Sequence, residues 1–149
     1  MRSKIPFLAF LRAARPEPGL GDLSNAIAAA AWKSVSREAG TSPSRVLVYA
    51  RIDPEVDEVR LSTMILYTRR TGDVVESLHG PGNSDVMNAV DAQRRHLQTT
   101  GQAAWFSLTQ RIEAGRFETD MTYETTPALS LDVWDTGQWL KREHFGQKD

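Results

Sequence analysis

The chain of 149 residues contains no cysteine. That excludes disulfides, thiol nucleophiles and cysteine-held zinc or iron–sulfur centres, and it fits a reducing compartment. Histidine is scarce as well. The three present, His79, His96 and His144, are widely spaced and form no His-x-x-x-His or Glu-x-x-His arrangement, so the sequence carries no metal motif. No apolar run approaches the ~20 residues that cross a bilayer. Basic excess is missing too: a net charge of -1 is far from the surplus with which proteins neutralise phosphates, so direct nucleic-acid binding is not expected. The basic start, Met1 to Lys4, leads into a short apolar stretch, but Pro6 interrupts it and no small-x-small cleavage site follows. The expected compartment is the cytoplasm, with no membrane and no cofactor.

What is there suffices for a core. With 40% hydrophobic residues, a chain of this size can bury roughly two thirds of its unfolded surface without staples. Residues 1–21, ending in Arg15-Pro16-Glu17-Pro18-Gly19-Leu20-Gly21, read as an N-terminal extension, and residues 22–149 as a single domain. Leu23, Ile27, Ala31 and Val35 recur at helical spacing, with Asp22 or Ser24 as cap and Gly40 as stop. Strict alternation over 45–53 and 58–70 predicts two antiparallel strands around the turn-rich 53–57, and 74–78 a weaker third. His79-Gly80-Pro81-Gly82-Asn83 reads as a loop. A second helix starts at Ser84 or Asp85, presents Val86, Val90, Gln93 and Leu97 as its stripe with Arg94 and Arg95 away from the stripe centre, and closes at Gly101. A hairpin spans 101–124, and Trp139 and Leu140 dock a short helix beginning near Thr136. The expected fold is α+β, an antiparallel sheet of about five strands carrying helices in the order αβββαββα.

The hairpin has two differently dressed faces. Phe106, Leu108 and Ile112 fall on one side of its first arm, with Trp105, Ser107, Thr109 and Arg111 on the other. In the second arm Phe117, Thr119, Met121 and Tyr123 oppose Glu118, Asp120, Thr122 and Glu124. Glu118, Asp120 and Glu124 therefore form an acidic row, read either as a solvated face paired with Arg111 and Arg116 or as a patch for a basic partner. Asp53, Glu55, Asp57 and Glu58 make a second acidic cluster at the first strand turn, open to the same two readings. Trp105 sits on the polar side under strict alternation. Either another element covers it, or it is a surface anchor; Trp32, off the centre of its helical stripe, raises the same question. Chemistry is harder to find. Gly80 to Asp85 precedes a helix start but lacks the Walker lysine and the dinucleotide fingerprint. A metal-assisted hydrolase on Glu118, Asp120 and His79 has no ligand spacing to support it, so no enzyme activity is expected.

Gly101, then Trp105-Phe106-Ser107-Leu108, then Ile112-Glu113-Ala114-Gly115-Arg116-Phe117-Glu118, then Tyr123-Glu124 and Trp134 follow one another in an order that resembles the YezG-like antitoxin or immunity proteins, over residues 22 to about 140. The resemblance implies a small protein that binds and neutralises a cognate secreted bacterial toxin, a nuclease being the expected class, by stoichiometric association without catalysis. Its partner surface would be drawn from Glu118, Asp120, Glu124, Trp105, Glu55, Asp57 and Glu58. A secretion chaperone of the type III effector kind, with a similar element order, is the alternative, and a homodimer is left open.

Overall fold

The computed structural model describes residues 19–53, 61–70, 72, 74–79 and 81–146. The helical spacing from Leu23 becomes α1, Leu20–Ala39, which buries Ile27, Ala28, Ala31 and Val35 and ends at Gly40. It begins two residues ahead of the expected boundary, and Asp22 lies inside its first turn, accepting a long bond from the Gly19 amide (3.4 Å). Ser24 is a buried residue of the helix rather than its cap.

Strands β1 (Pro43–Ile52), β2 (Leu61–Arg69) and β3 (Val75–Ser77) follow as an antiparallel meander. After α2 (Pro81–Thr99), the chain forms β4 (Ser107–Glu113) and β5 (Arg116–Thr122) and then a 3-10 turn, Pro127–Ser130. Helix α3, Val133–Phe145, closes the described chain. The strands make one five-stranded sheet in the order β3-β2-β1-β4-β5 with antiparallel neighbours throughout, so the protein is α+β as its patterning predicts.

Period-two alternation lets one sheet serve two cores. Val46, Val48 and Ala50 of β1 face α1 and α2, together with Ile65, Tyr67, Leu108 and Ile112. Leu47 and Tyr49 point the other way, where Leu66, Val75, Leu140 and the half-buried Trp139 and Phe145 meet them. The Trp139 ring stands edge-on to Tyr49 at 5.6 Å. A strand covered on both sides reads as a continuous apolar run, which is why residues 46–50 are all buried.

Helix α2 begins at Pro81, earlier than expected. Proline at a first helical position loses no hydrogen bond, because that amide has no intrahelical partner. Gly82 has a packing reason: a Cβ there would come 2.9 Å from Ser34 Cβ on α1. The glycine that looks like a loop residue instead lets two helices touch.

Candidate interaction surface

The geometry of the hairpin starts at its turn. Ala114 and Gly115 both have positive φ, 53° and 77°, the two-residue mirror-type turn that matches strand twist. It pairs Glu113 with Arg116, and from there Arg111 with Glu118 and Thr109 with Asp120. Arg111 is also the cross-strand partner of Leu47, so these residues lie on the α3 side of the sheet. Helix α3 covers β1 and β2 there, while Glu118 and Asp120 on β5 remain exposed.

Between them stands one cation. Arg111 Nη2 lies 2.6 Å from Asp120 Oδ2 and 3.3 Å from Glu118 Oε1. The hydrogen bond to Asp120, more than any other effect, raises the Arg111 pKa above its ordinary value. All three side chains are solvated, so the cluster adds little to stability. Two carboxylates on one guanidinium leave a net negative face.

The other expected site residues divide. Glu124 is exposed in the bend after β5, and the preceding Tyr123 is 48% exposed. Glu55, Asp57 and Glu58 lie outside the described residues. Trp105 is corrected: it is fully buried in the core and has no surface to offer. It precedes β4, so alternation counted from the strand does not govern it. Its indole Nε1 donates to Gln93 Oε1 at 2.7 Å, and its carbonyl accepts from Arg94 Nε at 3.0 Å. The Arg94 guanidinium stacks 5.4 Å from the ring centre. Arg94 is thus buried, contrary to its expected place off the stripe, and desolvation lowers its pKa. Trp32 is half-buried against the same core.

The start of α3 presents a surface that no local sequence pattern marks. Arg51, near the end of β1, donates to the carbonyls of Ala128 (3.0 Å) and Leu131, and to Thr136 Oγ1 (3.1 Å), tying the 3-10 turn and the helix to the sheet. Asp132 caps the helix by accepting from the Asp135 amide at 2.7 Å. With Thr136 and Leu140 turned inward, Val133 and Trp134 are each left 72% exposed. Trp134 stands about 200° around the helix from Thr136. Strand pairing places this end of the sheet in register: Arg51 faces Ser107, and Ser107 faces Thr122, beside which Tyr123 and Glu124 emerge. Exposed aromatic and acidic side chains therefore leave the sheet at the end to which α3's first turn is tied.

His79 is elsewhere. It is exposed after β3, with its amide donating to Glu38 Oε1 at 3.2 Å. β3 and β5 are opposite edges of the sheet, four strand spacings or about 19 Å apart. His79 therefore joins neither Glu118 nor Asp120, and among the described residues no group of three or more His, Asp or Glu could hold a metal ion. No helix among the described residues is long and apolar enough to cross a membrane. No protein-family model matches the chain, and no curated protein matches it.

Proposed function

We propose that the protein is an immunity-type protein, which binds a cognate secreted toxin, a nuclease domain by expectation, and neutralises it through stoichiometric association. The observation that carries this reading is the exposed Trp134, set with Val133 on a helix start that Arg51 and Asp132 hold rigid. A large aromatic left in water at a fixed position is the kind of residue that anchors interfaces, because its burial on binding costs little side-chain entropy. Carboxylates at Glu118, Asp120 and Glu124 suit a basic partner, as nucleases are on their nucleic-acid face.

The residues of the YezG-like resemblance take different roles under this reading. Gly101 and Gly115 shape turns, Trp105 fills the core, and Tyr123, Glu124 and Trp134 are the members available to a toxin. The test is co-purification of the full chain with the product of the neighbouring gene. Recovery of a one-to-one complex supports the reading, and an unrelated neighbour that neither binds nor is inhibited contradicts it.

A further inference from the structure

We infer that β5 accepts a sixth strand: an extended segment of the partner protein in which basic side chains alternate with apolar ones. This deepens the proposed function and rests on reading the chain as a partner-binding protein.

The sheet has two edges of unequal kind. β3 is three residues long, short enough to offer little to an incoming chain. β5 has seven residues, keeps an unbroken register with β4 and contains no proline. Among the described residues nothing pairs with its outer side. The two-residue turn makes Glu113 and Arg116 a hydrogen-bonded pair, and bonding alternates along the ladder from there. Arg116, Glu118, Asp120 and Thr122 consequently spend their amides and carbonyls on β4. Phe117, Thr119 and Met121 direct theirs outward.

Side chains then specify the occupant. Phe117 and Met121 are half-buried against the α1–α2 core, and a residue arriving opposite them would complete an apolar layer. Glu118 and Asp120 lie on the other face, sharing the Arg111 cation, and a residue arriving opposite them is favoured if basic. A second copy of this chain fits poorly in most registers. A two-fold β5–β5 pairing centred on residue 119 or 120 sets Glu118 against Asp120 or Asp120 against Asp120, and like charges directly opposite repel; one centred on 118 sets Glu118 against Glu118 but matches Arg116 with Asp120 twice, and is the register a dimer would take. Registers further off centre pair only short ends of the strand.

A short peptide of alternating lysine and valine, titrated onto the full chain, tests this. Controls are the same residues with the lysines in one block and a version with glutamate in place of lysine. The alternating lysine peptide is expected to bind about tenfold tighter than either control. Binding should slow amide exchange at Phe117, Thr119 and Met121 and leave Glu118 and Asp120, already bonded to β4, little changed. Thr119→Pro removes an outward amide and no backbone bond to β4, although it also removes the hydroxyl that accepts from Gln110 Nε2 at 3.2 Å, and should abolish the preference. Should circular dichroism show that variant unfolded, Glu118→Lys combined with Asp120→Lys decides, with the preference moving to the glutamate peptide. Equal affinity for all three peptides, protection elsewhere on the surface, or a concentration-dependent dimer protected at the same three amides would overturn the inference. A toxin that binds without protecting those amides removes the sixth strand and leaves the immunity reading intact, whereas peptide selectivity with no toxin partner removes only the latter.

Discussion

His144 lies near the end of α3, where burial first, and the Arg111 guanidinium second, hold its imidazole below the ordinary value of 6.5. The folded protein therefore prefers the neutral ring. As pH falls below 6.5 the unfolded chain takes up a proton that the folded one resists, so this residue's stabilising contribution is lost as acidity increases towards the lowered folded value. His144→Gln should flatten the dependence of thermal midpoint on pH between about 7 and 5; an unchanged profile would place the pH sensitivity elsewhere. Gln93 is a second residue with a measurable role. Its carbonyl oxygen accepts from the Trp105 indole, and in Gln93→Leu that buried N–H loses its acceptor, an expected loss of about 1 to 3 kcal/mol in chemical denaturation. The pair also shows where the sequence could have spoken more clearly. A glutamine in the middle of an apolar helical stripe needs a buried partner, and a tryptophan with one polar atom is a suitable one. Extending strand alternation to Trp105 hid that, because residues 102–106 are not part of β4.

At the level of elements, most of the fold is legible because periodicity changes cleanly from 3.6 to 2 and back, with glycines at the helix ends. Where legibility failed, a residue had two physical uses. Pro81 and Gly82 signal a loop in isolation, yet the first opens α2 and the second admits α1. Gly82→Ala drives a methyl into Ser34 Cβ, and is expected to cost about 1 to 3 kcal/mol, read as a lowered thermal midpoint. Helix α3 starts ahead of Thr136 because the Asp132 cap and the Arg51 ties recruit Asp135, Thr136 and Gly137, which are poor helix formers on their own. That shift of about one turn decides whether Trp134 is on the surface. The hairpin turn offers the opposite kind of test. Ala114 occupies a left-handed conformation that costs an L-residue roughly 1 to 2 kcal/mol and that asparagine tolerates better. Ala114→Asn should raise the midpoint by about 3 °C, and a lower midpoint would contradict the turn geometry.

For the molecule as a whole, the sheet is a partition with two jobs. Helices α1 and α2 form the larger core on one face, and α3, fixed by Leu140, Trp139 and Phe145, covers half of the other. The uncovered half and the adjoining end of the sheet carry the exposed carboxylates of β5, Tyr123, Glu124 and Trp134. Glu118 and Asp120 could be placed on one face from alternation alone. Their sharing of Arg111 depends on the register that the Ala114–Gly115 turn sets, and the exposure of Trp134 depends on tertiary ties more than 80 residues apart in sequence, from Arg51 to Thr136. Neither is written in a local pattern. If Trp134 anchors the toxin, Trp134→Ala should weaken the complex by about thirtyfold or more and leave the thermal midpoint unchanged, since the ring contributes little to the fold. The measurement that bears most directly on the proposed function is a titration of the activity of the proposed toxin partner, the neighbouring gene's product, with the full chain. Loss of activity ending sharply at one equivalent, with Trp134→Ala needing a large excess, is the expected result; full toxin activity at saturating wild-type protein would contradict it.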